Sequence, residues 1–143
     1  MTHSVPFRII QIPHQGFHIM CVMEMSGYKL NVLIDTGASL TVFDVNRFKN
    51  IYPQQEVSPY ENSFRGITSH AIPTWSATVE VLDIGSLQLT DLRILLVDLA
   101  SINQTYAHYD LPRIDAVLGG DLLLALKTRI DYASRTLILE TTT

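Results

Sequence analysis

"LNVLIDTGASLTVFD", residues 30–44, is the stretch that decides the fold. Leu30, Val32, Leu33 and Ile34 read as the end of a strand, alternating at first and then continuously apolar. Asp35-Thr36-Gly37 interrupts the run, and Ala38, Leu40, Val42 and Phe43 resume it. A carboxylate at the mouth of such a run is costly to bury unless it is hydrogen-bonded or paired. Two readings fit. Asp-Thr-Gly readily forms an Asx turn at a strand end. Alternatively the acid is held there for chemistry. The strand Asn31–Ile34 would fix its place, the Thr36 hydroxyl would lie beside it, and Gly37 would let backbone N–H groups approach the carboxylate.

Working outward, most of the chain reads as strand. "FRIIQI" (7–12) is β-branched and ends at Pro13, and "GFHIMCVMEM" (16–25) leads through the tight turn Ser26-Gly27 into "YKLNVLI" (28–34). Asp44 is placed to cap a short helix through Val45, Phe48 and Ile51, stopping before Pro53. Residues 53–63 are polar and proline-bearing, which predicts a loop. In "FRGITSHAIPTW" (64–75), Gly66 between two short extended segments predicts a hairpin tip. Thr78 to Val81 alternates with period two, then a turn falls at Asp83-Ile84-Gly85-Ser86, and a further strand is predicted over Arg93–Val97. Residues 98–113 show no period and read as a surface excursion. "IDAVLGGDLLLALKTRIDY" (114–132) predicts a strand ending in glycines, then a short helix from Asp121 with Leu122, Leu123 and Leu126 in the core. "RTLILE" (135–140) predicts a last strand.

Composition narrows the function. At 143 residues, 47% of them hydrophobic and 17% charged, the chain predicts one globular domain over 1–143. The net charge of −4 and the scattered basic residues argue against nucleic acid as a partner. Cys21 is the only cysteine, so no intrachain disulfide or thiolate metal site is expected. His3, His14, His18, His70 and His108 lack ligand spacing, so no metal or other cofactor is expected. The first 18 residues do not read as a signal peptide, and no apolar run is long enough to span a membrane. A soluble, reducing compartment follows as the expectation, the cytoplasm, with no membrane partner.

A faint internal repeat relates "NVLIDTGASL" to "DAVLGGDLL": apolar strand, small or acidic turn, apolar exit. With that context, Leu33-Ile34-Asp35-Thr36-Gly37-Ala38-Ser39 resembles the active-site motif of the retropepsin-like aspartic proteases. Ala116 to Leu123 resembles that family's second motif, Gly66 falls where the family carries its substrate-covering flap, and Ile130–Leu139 resembles the closing strand. The likeness spans about residues 7–140 and points to the bacterial single-lobe branch.

The resemblance implies an all-β fold, a small closed acid-protease barrel with one short C-terminal helix. It implies an aspartic endopeptidase acting on a peptide or protein substrate. Only one Asp-Thr-Gly is present, so it also implies a homodimer in which two copies of Asp35 share one proton across a water. Thr36 and Gly37 would support the acid. Gly37, Ala38, Ser39, Arg65, Gly66 and Ile67 would hold substrate as a β-strand. The terminal segments Met1–Arg8 and Leu137–Thr143 would lie at the dimer seam. Two departures bear on that seam. Ser39 stands where many viral members have an acid, and Gly120 where they have an arginine. The alternative reading is a catalytically inactive protease-like module that binds peptides or only dimerises.

Overall fold

The computed structural model describes residues 1–60, 64–65 and 71–141, the side chains at 64, 65 and 71 excepted. Its elements in chain order are β1 (Thr2–Pro6), β2 (Arg8–Ile12), β3 (Gly16–Met25), β4 (Tyr28–Ile34), β5 (Val42–Asp44), α1 (Val45–Ile51), β6 (Ser58–Pro59), β7 (Phe64–Arg65), β8 (Ala71–Ile72), β9 (Trp75–Ile84), β10 (Leu87–Val97), α2 (Ala100–His108), β11 (Ala116–Leu118), α3 (Gly120–Ala125), β12 (Arg129–Asp131) and β13 (Thr136–Glu140).

The largest sheet runs β2-β3-β4-β11-β5-β10-β9-β6, and a second pairing of β3 with β9 closes β3-β4-β11-β5-β10-β9 into a barrel. The expected small closed barrel is therefore present. A separate sheet, β1-β13-β12, joins the two ends of the chain. β3 and β4 meet through Ser26 and Gly27, both at positive φ (51° and 79°), which is the turn a right-twisted two-residue hairpin requires.

The faint repeat has a structural counterpart. β4 and β11 lie side by side and parallel, with Val32 opposite Ala116, Leu33 opposite Val117 and Ile34 opposite Leu118. Side chains alternate between two cores, as the strand period demands. Cys21, Val32, Ala116 and Phe43 face the barrel interior. Their neighbours Met20, Leu33, Val117 and Val42 face outward into a second cluster with Leu99 and Tyr106. That second cluster explains why the strand turns from alternating to continuously apolar before Asp35. Its outer face is covered too.

The cover is α2. Residues 98–113, expected as a surface excursion, instead contain the helix Ala100–His108, and Leu99, Ile102, Tyr106 and Tyr109 pack on this second cluster at helical spacing. Polar clamps hold the helix. Asn103 donates Nδ2 to the Ile114 carbonyl (2.9 Å) and accepts from the Ile114 N–H (2.7 Å). At its entry, the Leu99 N–H donates to Asp44 Oδ1 (3.1 Å). Helix α1 forms as the sequence predicts, with the Asp44 carboxylate accepting from the Arg47 N–H at 3.2 Å. Residues 87–97 form one continuous strand, of which the expected Arg93–Val97 is the second half. Asp91 adopts φ 50° while the register continues from Thr90–Val81 to Leu92–Val79. Part of the predicted 53–63 loop, Ser58–Pro59, pairs with Trp75 and Ser76. The Phe64–Ile72 and Arg65–Ala71 pairs flank the predicted hairpin tip, which lies outside the described residues.

Two buried acids tie these parts together. Asp44 bonds Arg113 at 3.0 Å. Asp115 accepts from the Asn31 N–H (2.8 Å) and faces Arg47 (3.5 Å) and Arg113 (3.8 Å). Burial holds the Asp115 carboxyl above its ordinary value of 3.8, against the pull of the Asn31 N–H and the two arginines. On raising the pH, the unfolded chain therefore loses this proton before the folded one. Asp115 contributes stability below its unfolded value, and that contribution is lost as pH rises through its folded value. Urea melts of wild type and Asp115→Asn from about pH 3 to about pH 6 should show it. The gap between the two proteins should change across that window in the direction of a wild type that weakens with pH. A constant gap would show that Asp115 titrates alike in both states.

Candidate active site

Strand β4 ends by delivering Asp35. The Asp35 N–H donates to the Leu118 carbonyl of the parallel neighbour (3.0 Å), which fixes the backbone at the strand mouth. The Gly37 N–H donates to Asp35 Oδ1 (2.9 Å), and the Ala38 N–H to the Asp35 carbonyl (3.1 Å). The two sequence readings thus describe one geometry: an Asx turn that also immobilises a carboxylate. Asp35, Thr36 and Gly37 are exposed in the single chain. The burial suggested by the apolar run belongs to the strands beneath and not to the acid. The Thr36 hydroxyl makes no hydrogen bond among the described residues.

The loop after Gly37 is pinned onto the start of α3. The Ala38 carbonyl accepts from the Gly120 N–H (2.7 Å) and the Ser39 carbonyl from the Asp121 N–H (3.2 Å). Thr41 donates both its N–H (2.9 Å) and its hydroxyl (2.7 Å) to Asp121 Oδ1, while its hydroxyl oxygen accepts from the Gly119 N–H (3.0 Å). Gly119 occupies the N-cap position of α3. Asp121, one of its first residues, uses Oδ1 both locally, accepting from the Leu122 N–H (2.7 Å), and across the fold, accepting from Thr41. Ala38 is half-buried against the outer cluster. Ala38 and Ser39 spend their carbonyls on α3, which leaves the Gly37 carbonyl uncommitted among the described residues.

A cleft of about 300 Å³ opens beside Asp35 and Thr36. Its walls include Phe17, His18, Ile34, Ile102, Ile130 and Tyr132. Of these, His18, Ile102 and Tyr132 carry no sequence signal for a site. His18 lies on β3 beside β4, while Ile102 and Tyr132 reach the cleft only because α2 and the end of β12 fold back to it. Arg65 is placed by its backbone in β7, while Gly66 and Ile67 lie outside the described residues. Trp75 is half-buried and packs on the barrel core. A larger groove of about 620 Å³ runs between residues 5–8 and β3 and contains none of the predicted site residues. Burial pushes the Cys21 thiol up to about 12, so it behaves as a core side chain. Among the described residues, no helix is long and apolar enough to cross a membrane.

The geometry has relatives. Solved structures with the same fold include a retropepsin-like aspartic protease from Rickettsia conorii (17% identity, 97% of this chain and 92% of that one covered, TM-score 0.56). The retroviral protease-like domain of Ddi1 from Leishmania major matches at 9% identity over 86% and 88%, with a TM-score of 0.57. EIAV protease, solved in complex with the inhibitor HBY-793, matches at 20% identity over 78% and 90%, with a TM-score of 0.52. No curated protein sequence matches the chain. The sequence pattern of a family described as Aspartyl protease matches residues 22–122, from within β3 through both motifs and into α3. With the fold and the pattern in agreement, the chain belongs to the aspartyl protease family, in its retropepsin-like form.

Proposed function

We propose that the chain, as a single protease domain over 1–143, is a homodimeric aspartic endopeptidase whose two Asp35 carboxylates together activate water. The observation that carries this reading is the Asp35 turn: a carboxylate fixed by the Gly37 N–H, exposed at the rim of an apolar cleft, in a chain with one such motif. One carboxylate takes a proton from the water as its oxygen attacks the scissile carbonyl carbon. The other, protonated, donates to the carbonyl oxygen. The tetrahedral species then collapses, the C–N bond breaks, and the amine leaves with a proton. Activity requires the singly protonated pair, so the pH–rate profile is bell-shaped.

In this reading Thr36 bonds its counterpart across the dimer axis. The Gly37 carbonyl and the Ser39 side chain face substrate, with Ala38 lining the approach. Main-chain groups of Arg65, Gly66 and Ile67 hold the peptide as an added strand. The topology bears on the seam. β13 is paired on both sides within its own chain, by β1 and β12. The terminal segments expected at the seam are thus joined to each other, and β12, whose Ile130 lines the cleft beside Asp35, is an open edge of that sheet. Tyr132 just after it is 52% exposed and Phe17 48%, and the two rings stand edge to face at 6.0 Å. An apolar edge of this kind beside a half-site supports a second copy docking there.

The test is cleavage of a peptide library across protein concentration. Specific activity per chain should fall on dilution in step with dimer dissociation measured by sedimentation, because one chain holds half a site. A strictly monomeric protein that still cleaves would overturn the shared pair.

A further inference from the structure

The cleft beside Asp35 and Thr36 is walled largely by apolar side chains. His18, on β3, lines it and is exposed. Its Nδ1 is hydrogen-bonded to the Tyr106 hydroxyl of α2, and the two rings stack at 5.8 Å with planes 20° apart. Tyr106 is only 2% exposed, and burial pushes its hydroxyl above the ordinary tyrosine value, so the O–H keeps its proton. Among the described residues that hydroxyl has no other partner than His18.

The proton count then fixes the imidazole. A buried O–H needs an acceptor. If Nδ1 carried the ring proton, the tyrosine hydrogen would have nowhere to go. In the neutral ring the hydroxyl then donates to Nδ1, and the ring proton sits on Nε2. That nitrogen has no hydrogen-bond partner among the described residues, so an N–H donor stands ready in a cleft whose other lining includes Asp35 and Thr36 as well as Phe17, Ile34, Ile102, Ile130 and Tyr132.

We propose that His18 is a specificity-determining residue of this cleft, offering Nε2–H to a substrate side chain with an apolar body and an acceptor oxygen at its tip, glutamine above all, and that Tyr106 is the positioning residue that fixes the tautomer. The inference rests on the reading of the cleft as the substrate site, and it gives α2 a role: the helix brings Tyr106 to the back of His18. A purely apolar side chain of similar length, methionine, fills the same space but leaves the donor unmatched.

Two measurements decide it. The first is the ¹⁵N spectrum of the His18 ring in the wild-type protein, which distinguishes the tautomers directly. The Nε2–H form is expected, and Tyr106→Phe should relax it to a mixture. A dominant Nδ1–H form, or a spectrum indifferent to Tyr106→Phe, would overturn the positioning role. The second is the affinity of uncleaved peptides for Asp35→Asn, using matched pairs with glutamine or methionine scanned through each position. One position should favour glutamine by roughly three- to tenfold, the worth of one net hydrogen bond. His18→Phe should abolish that preference and His18→Gln, which retains an N–H donor, should restore part of it. A preference untouched by His18→Phe, or a uniform loss for all peptides, would overturn side-chain selection. Cleavage by wild type is scored separately. Its absence would tell against the protease reading, while the tautomer and the affinities would still decide this one.

Discussion

Asp35→Asn should reduce peptide cleavage to background and leave the fold intact. The loss follows from the chemistry: an amide can neither take a proton from water nor share one with its twin. General acid–base groups contribute on the order of 10²–10⁴-fold each, and in the proposed dimer one substitution removes both partners of the pair. The fold survives because asparagine keeps an oxygen at the Oδ1 position. It can still accept from the Gly37 N–H, whose 2.9 Å bond shapes the turn. The exposed position means that no buried charge is being relieved within one chain. In the proposed dimer, two like charges no longer meet at the axis, so assembly should be unchanged or tighter. The measurements are cleavage rate, thermal melting and sedimentation on one preparation. Residual cleavage within about tenfold of wild type, against the 10²-fold minimum expected, would remove Asp35 from the chemistry.

Gly119→Ala should unfold or badly weaken the protein, while the same change one residue later should not. A methyl on Gly119 would sit 2.6 Å from the Leu40 carbonyl oxygen, 2.7 Å from its carbon and 3.0 Å from the Ala38 carbonyl oxygen. These are backbone atoms, so no side-chain rotation relieves the clash. They belong to the loop that Gly120, Asp121 and Thr41 pin down with short hydrogen bonds. Overpacking of this kind costs about 3 kcal/mol or more, or about 10 °C in Tm for a chain of this length. The loop follows directly from Asp35-Thr36-Gly37, so activity should fall with stability. At Gly120 the added carbon would lie 3.4 Å from the Ala38 oxygen, an ordinary contact. Gly120 opens α3, where alanine is favoured over glycine by up to about 1 kcal/mol. Gly120→Ala should therefore be neutral or stabilising. Matching losses in both variants would show that the two glycines are needed for flexibility and not for space.

What was legible in the sequence was what short-range chemistry writes. Strand period, the Ser26-Gly27 turn, the Asp44 cap and the Asp35 turn are all carried by residues within a few positions of each other. The likeness to known proteases then ordered these pieces into a barrel. The parts that stayed hidden depend on partners far apart. Helix α2 shows only a thin apolar stripe, Leu99, Ile102, Tyr106 and Tyr109, and it is anchored as well by the Asn103–Ile114 clamp and by Asp44, which is 55 residues from Leu99. Asp121 looks like a local cap until the fold places Thr41, 80 residues distant, against it. His18 is an unremarkable strand residue until Tyr106, 88 residues later, arrives behind it. The pairing of β1 with β13 was hidden for the same reason: β1 precedes every segment of the likeness, and its partner lies far along the chain.

That β1–β13 pairing sets an order of events. Thr2 lies opposite Glu140, and the Met1 amine donates to the Thr141 carbonyl across a span of 140 residues. β1 is synthesised before all the barrel strands and β13 after them, so β1 must wait for its partner until the barrel strands between them have been made. The barrel strands β3 and β4 can form their hairpin early, whereas the β1–β13 pair cannot form until β13 has emerged. Contacts of such long sequence separation close slowly, after local ones have reduced the entropy of the intervening chain. Until then β1 is an exposed strand edge with apolar Val5, the kind of segment that neighbouring nascent chains can capture.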